Sequence, residues 1–138
     1  MPAPYFNLKP DRYEAEVADS KVNGLRMRRA ADAEFREMAA NAKDVIYVVT
    51  EARDLVMCET TKLENRTRHP VLADGRPVLA AGAARVIELE GEFLVTHLDN
   101  DSGHYQPDPE CLTEASELWI AAGFEIQDGA LRPYTQEQ

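Results

Sequence analysis

"PVLAAGAARVIELEGEFLVTHLDN" (Pro77–Asn100) decides the fold. Its first part, Pro77–Glu90, is a long apolar run suited to one bent strand, with Gly82 at the bend or bulge. Glu90–Glu92 is a turn centred on Gly91. "EFLVTHL" then alternates Phe93, Val95 and His97 against Leu94, Thr96 and Leu98, as a returning strand does. The stretch therefore predicts an antiparallel hairpin leading into "DNDSGHYQP" (Asp99–Pro107).

The flanks extend that hairpin. "VIYVVT" (Val45–Thr50) is β-branched and aromatic, with the near-continuous hydrophobicity of an interior strand. "DLVMCE" (Asp54–Glu59) follows after "EAR" and reads as its hairpin partner. "TTKLENRTRH" reads as a polar connection and "ADGRP" (Ala73–Pro77) as a turn. Before the strands, about Leu25 to Ala42 places Met27, Ala31, Phe35, Met38 and Ala42 at helical intervals, and predicts a long helix with Arg26, Arg28 and Arg29 near its start. After them, Asp108 and Pro109 make a helix start, with Leu112, Ala115, Leu118, Trp119 and Ala122 as its buried stripe and Gly123 as its C-terminal cap. "FEIQDGALRPY" predicts a closing hairpin at Asp128-Gly129. The expected fold is α+β, an antiparallel β-meander packed by a long N-terminal helix and a second C-terminal helix. Residues 1–138 form one domain, with 1–22 as a surface arm that Tyr5, Phe6 and Leu8 allow to dock.

Charge narrows the function classes. The net charge is −10, and residues 88–138 hold one basic residue against twelve acidic ones. That surface repels phosphate backbones, so nucleic acid is not an expected partner; a protein or a small-molecule ligand is. No apolar run reaches the roughly 18 residues of a membrane span, and the first residues lack a secretory pattern. The expected location is the cytoplasm, or outside the cell by a route without a classical signal peptide. Cys58 and Cys111 are too far apart in sequence for a ligand motif, and acidic neighbours oppose a thiolate at Cys111.

The chemistry-bearing residues gather in "DNDSGHYQP". Read as a calcium loop from Asp99, it puts Asp101 and Glu110 at positions three and twelve. Gly103 then falls at five and His104 at six, where the turn needs glycine. A set of His97, His104 and Asp99 or Asp101 has no recognised metal spacing, so neither metal nor cofactor is expected. As an acid–base site, His104 and Tyr105 sit in a turn that feeds a helix, with His69 as a second histidine the fold would have to bring near. As a structural turn, Asp101 or Ser102 bonds backbone amides, Gly103 supplies positive φ, and Tyr105 packs on the sheet. A Gly-rich phosphate loop, GxSxG elbow, HExxH and CxxC are all missing.

"IYVVTEARDLVMCE", "RHPVLADGRPVLAAGAARV" and "NDSGHYQPDPECL", in that order over about Val45 to Leu112, resemble a domain of plant and fungal IQ-motif calmodulin-binding proteins. It is also found in some bacterial proteins, including effector or toxin modules. In that family a His-Ser-Ser segment precedes an Ala-Gly-Glu strand and a Ser-Gly-His-Tyr turn. The resemblance places His69 at the first histidine, Gly82 at the strand glycine, and Ser102, Gly103, His104 and Tyr105 at the turn. Pro70 and Val71 replace the two serines, Ala83 stands where glutamate is common, and the IQ segment is absent. The resemblance thus implies the sheet and the turn, without calmodulin binding.

The first expectation is a small ligand- or protein-binding domain, non-enzymatic or catalytically reduced. Its site is the turn, with Asp101, Ser102, Gly103 and Gly82 as binding positions. One alternative is an effector-type transferase or hydrolase with His104 and His69 as acid and base, assisted by Tyr105. Another is an acidic inhibitor or immunity protein for a basic partner.

Overall fold

The computed structural model describes residues 4–15, 27–29, 34–42, 44–59, 72–73, 75–102, 105 and 107–133. Strands β1 (Met27–Arg29), β2 (Asp44–Thr50), β3 (Leu55–Glu59), β4 (Val78–Leu89), β5 (Glu92–Asp99), β6 (Glu125–Ile126) and β7 (Leu131–Arg132) form one sheet, with helices α1 (Phe35–Ala42) and α2 (Cys111–Ala121). The order is β1-β3-β2-β4-β5-β6, and β7 also pairs with β5. The architecture is α+β, as expected, but the sheet is mixed: β6 and β7 both run parallel to β5.

β2 lies inside the sheet because its run Val45–Val49 has no polar side to turn outward. All five residues are buried. Val45, Tyr47 and Val49 join Leu55 and Met57 in a core with α1 and α2. Ile46 and Val48 join Val56 and Cys58 in a second cluster with Leu72, Ala73 and Tyr105. The first cluster is aromatic: Trp119 lies 5.0 Å from Phe124, 5.6 Å from Phe35 and 6.0 Å from Tyr47, ring centre to ring centre. Such pairs add about 0.5–1.5 kcal/mol each beyond area burial. α2 ends as its sequence predicts. Gly123 has φ +102°, its N–H donates to Ile120 O at 3.0 Å, and that of Phe124 donates to Trp119 O at 3.2 Å. These two bonds, with Phe124 against Trp119, make a Schellman cap. At its other end the helix starts at Cys111, and Asp108 contributes a main-chain carbonyl at 3.0 Å rather than a side-chain cap.

Both hairpins form. Glu90 and Gly91, with φ 54° and 82°, supply the two left-handed residues of a tight β4–β5 loop. Between β2 and β3, Arg53 takes φ 65° and its guanidinium bridges Glu114 and Glu117 of α2. At the start of β4 the N-terminal arm docks through Tyr5, which exchanges main-chain hydrogen bonds with Val78 at 2.6 and 2.8 Å and packs against both core clusters. Phe6 and Leu8 do not dock; they are 64% and 57% exposed.

Two expectations need correction. The long N-terminal helix is not shown: Met27–Arg29 is a strand on the edge of β3, and the helix is the shorter Phe35–Ala42. At Asp128-Gly129 a turn does form, closed by Ala130 N–H to Gln127 O at 3.0 Å. Its arms do not pair with each other. Each lies along β5 instead, β6 at Leu94 and Val95, β7 at Leu98 and Asp99. The proposed "TTKLENRTRH" connection lies outside the described residues.

Candidate functional site

The β4–β5 pairing slips between Arg85 and Val86, so that Arg85 faces His97 while Val86 faces Val95. Thr96 is the extra residue of this bulge, and its hydroxyl donates to Arg85 O at 3.4 Å. The slip breaks the simple alternation expected of β5. Val95 and Leu98 both enter the helix-covered core, whereas Thr96, His97 and Asp99 stay partly exposed. His97 and Asp99, two residues apart, thereby share the opposite face.

Asp99 is where β5 leaves the sheet, and its exit passes directly over Gly82. A Cβ on Gly82 would stand 1.9 Å from Asp99 O and 2.6 Å from its carbonyl carbon. The expected bend at Gly82 is a close approach of two main chains, which only the absence of a side chain permits. The Asp99 carbonyl accepts the Tyr47 hydroxyl at 2.7 Å. Its Oδ1 accepts Ala83 N–H at 2.8 Å and Asp101 N–H at 3.0 Å, the latter an Asx turn. Its Oδ2 meets His97 Nε2 at 2.7 Å. One residue thus joins β2, β4, β5 and the corner that follows.

The corner itself is anchored at several points. Asn100 is buried and its Nδ2 donates to Pro107 O at 2.9 Å. Ser102 is buried and its Oγ accepts Tyr105 N–H at 3.3 Å. Tyr105, 2% exposed, packs in the second core cluster and donates its hydroxyl to Arg76 O at 2.8 Å. These contacts give Ser102 and Tyr105 anchoring roles. Asp101 is exposed at the rim. His69, Gly103 and His104 lie outside the described residues. The structure therefore brings together Gly82, Asp101, Ser102 and Tyr105 of the sequence-predicted positions.

Electrostatics separate the groups. Partial burial and then the neighbouring Asp99 charge push the Asp101 carboxyl above its ordinary value. Burial, then Cys111 and Asp99, push the Tyr47 phenol well up, which suits a hydroxyl that donates. Burial lifts the Cys111 thiol to about 11, with Asp108, Glu110 and Asp99 also raising it, so this cysteine is a packed thiol rather than a nucleophile. Among the described residues, no three His, Cys, Asp or Glu side chains are grouped to hold a metal ion, and no helix is long and apolar enough to cross a membrane.

His97 is the partner that an acid–base reading of the sequence overlooks. The available signal is its spacing: residues i and i+2 of a strand share a face, so His97-Leu98-Asp99 was a readable pair. No protein-family model, curated protein or solved structure matches this chain.

Proposed function

We propose that the chain is a small binding domain whose recognition surface is the corner after β5, and that its partner is a protein or small molecule presenting a cationic group. One observation carries this reading. Asp99 is locked by two main-chain donors and His97, while the neighbouring Asp101 carboxylate stays exposed at an electrostatic disadvantage. A carboxylate whose ionised form is disfavoured by partial burial and then by a neighbouring carboxylate suits a positive group supplied from outside. The scarcity of Lys and Arg in 88–138 supports the same polarity. Electrostatic complementarity of this kind steers association and orients a partner more than it adds affinity.

The anchoring of Ser102 and Tyr105 favours a preformed recognition surface over a mobile catalytic loop. The Ser-Gly-His-Tyr resemblance is compatible with it. An inhibitor or immunity role is the form this reading takes when the partner is a basic protein. The test is an amide NMR titration with hexalysine at 50 and 300 mM salt. The expected result is saturable shifts centred on His97–Ser102 that weaken at high salt and vanish in Asp101→Asn. Shifts spread evenly over the acidic surface, or retained in Asp101→Asn, would defeat the reading.

A further inference from the structure

The turn end of the β4–β5 hairpin carries apolar side chains that neither core cluster takes up. Val86 and its register partner Val95 belong to the helix-covered core, so Ile87 and Leu89 stand on the opposite face, with their partners Leu94 and Glu92. Ile87 and Leu94 belong to neither cluster, and Leu89 is 56% exposed. Acidic groups border this strip. Glu92 lies beside Leu89, Glu90 is in the adjoining turn, and Glu125 of β6 lies beside Leu94. All three are exposed, and no ion pair among the described residues engages them. No Lys or Arg occurs from Val86 to Leu131. Arg85, at the inner end of the strip, is bridged to Asp44 at 2.8 Å.

We infer that this strip docks a cationic amphipathic helix of a partner protein, with the helix's apolar side chains on Ile87 and Leu89 and its lysines or arginines on Glu92 and Glu125. The spacing fits such a helix. Ile87 and Leu89 are two steps apart along one strand, about 6–7 Å, and positions four apart on a helix are separated by about 6 Å. Glu125 lies one strand beyond Leu94, about 5 Å further out, which is the half-width of a helix laid over the hairpin. An apolar strip alone would suit any apolar partner, and carboxylates alone any cation. The two together select a segment that presents both. The same carboxylates repel an anionic lipid surface. The strip lies at the opposite end of β5 from the corner, about 23 Å away along the strand, and does not depend on the reading proposed above.

The test is fluorescence anisotropy of a labelled leucine–lysine peptide, patterned so that its leucines line one helix face, titrated with the full chain. Saturable binding is expected, with amide shifts centred on Ile87–Leu94. It should weaken about tenfold in Leu89→Ser and about threefold in Glu92→Gln or Glu125→Gln. Leu89 is exposed, so its replacement leaves the fold intact. A peptide of the same composition in scrambled order, which cannot gather its leucines on one face, should bind about tenfold more weakly. Equal binding by the scrambled peptide, or unchanged binding in Leu89→Ser, overturns the proposal. So does self-association of the chain that Leu89→Ser abolishes, because the occupant is then a second copy. Hexalysine carries no apolar side chain, so failure of its titration leaves the strip standing, and failure of the patterned peptide leaves the corner standing.

Discussion

The two faces of the sheet are built on different principles. The helix-covered face is a cluster of Phe35, Tyr47, Trp119 and Phe124 packed edge to face, where shape and area set the energy. The other face carries a thinner apolar cluster, and next to it a polar patch of Asp44, Arg85, His97 and Asp99 joined by directed hydrogen bonds. The first face holds the fold together. The second spends little burial and instead fixes the orientation of a corner.

That contrast can be broken at graded cost. The largest effect belongs to Gly82→Ala, which forces a methyl into the Asp99 carbonyl from a main chain that cannot yield. A loss above about 4 kcal/mol is expected, read as a lowered urea midpoint or as failure to fold, and a near-neutral result would contradict the close approach. Trp119→Ala comes next, at about 3–5 kcal/mol by denaturation, because it empties the centre of the aromatic cluster. Its corner amides should keep their native shifts in whatever fraction remains folded. Tyr105→Phe reverses the pattern. Losing the bond to Arg76 O should cost only about 1 kcal/mol, yet exchange should quicken at the corner while the helix-face amides stay protected.

Asp101→Asn is the smallest and carries a sign. Because folding raises the Asp101 proton affinity, its favourable contribution is present at low pH, below the unfolded carboxyl value. It is lost as pH climbs from there through the folded value. At neutral pH the substitution should therefore stabilise, by no more than about 0.5 kcal/mol for so exposed a group. It should also remove the fall in stability that Asp101 imposes as pH rises through the carboxyl range, so the acid limb rises more steeply; a destabilised Asp101→Asn would refute the cause assigned to the shift.

Local chemistry explains which elements were legible in the sequence. The β-branched run of β2, the Glu90-Gly91 turn and the Gly123 cap each act through their own residues, and each appears where the sequence puts it. Met27–Arg29 does not, because its strand character comes from pairing with Val56–Cys58, nearly thirty positions away, while its spacing with Phe35 also fits a helix. Gly129 marks a turn in either topology, so whether its arms pair with each other or with β5 is a tertiary choice. In the candidate site, Gly82 and the Ser102–Tyr105 turn were visible as motifs. The His97–Asp99 pair was readable from its spacing, but the face it takes was not, because one bulged residue, Thr96, reverses the facing of everything between it and the end of the strand.

The splitting of one sheet margin into β6 and β7 also matters before anything binds. Between these two-residue pieces the chain turns through Gln127–Ala130, whose ends still bond β5 at Val95 O and Leu98 N–H while Asp128 and Gly129 are exposed. A neighbouring molecule in a crowded solution, seeking to add its own strand to that margin, meets two short rungs and a gap instead of a continuous ladder. Interrupted margins of this kind guard against edge-to-edge aggregation. The same short, parallel strands that the sequence conceals therefore make that margin a poor template for an added strand.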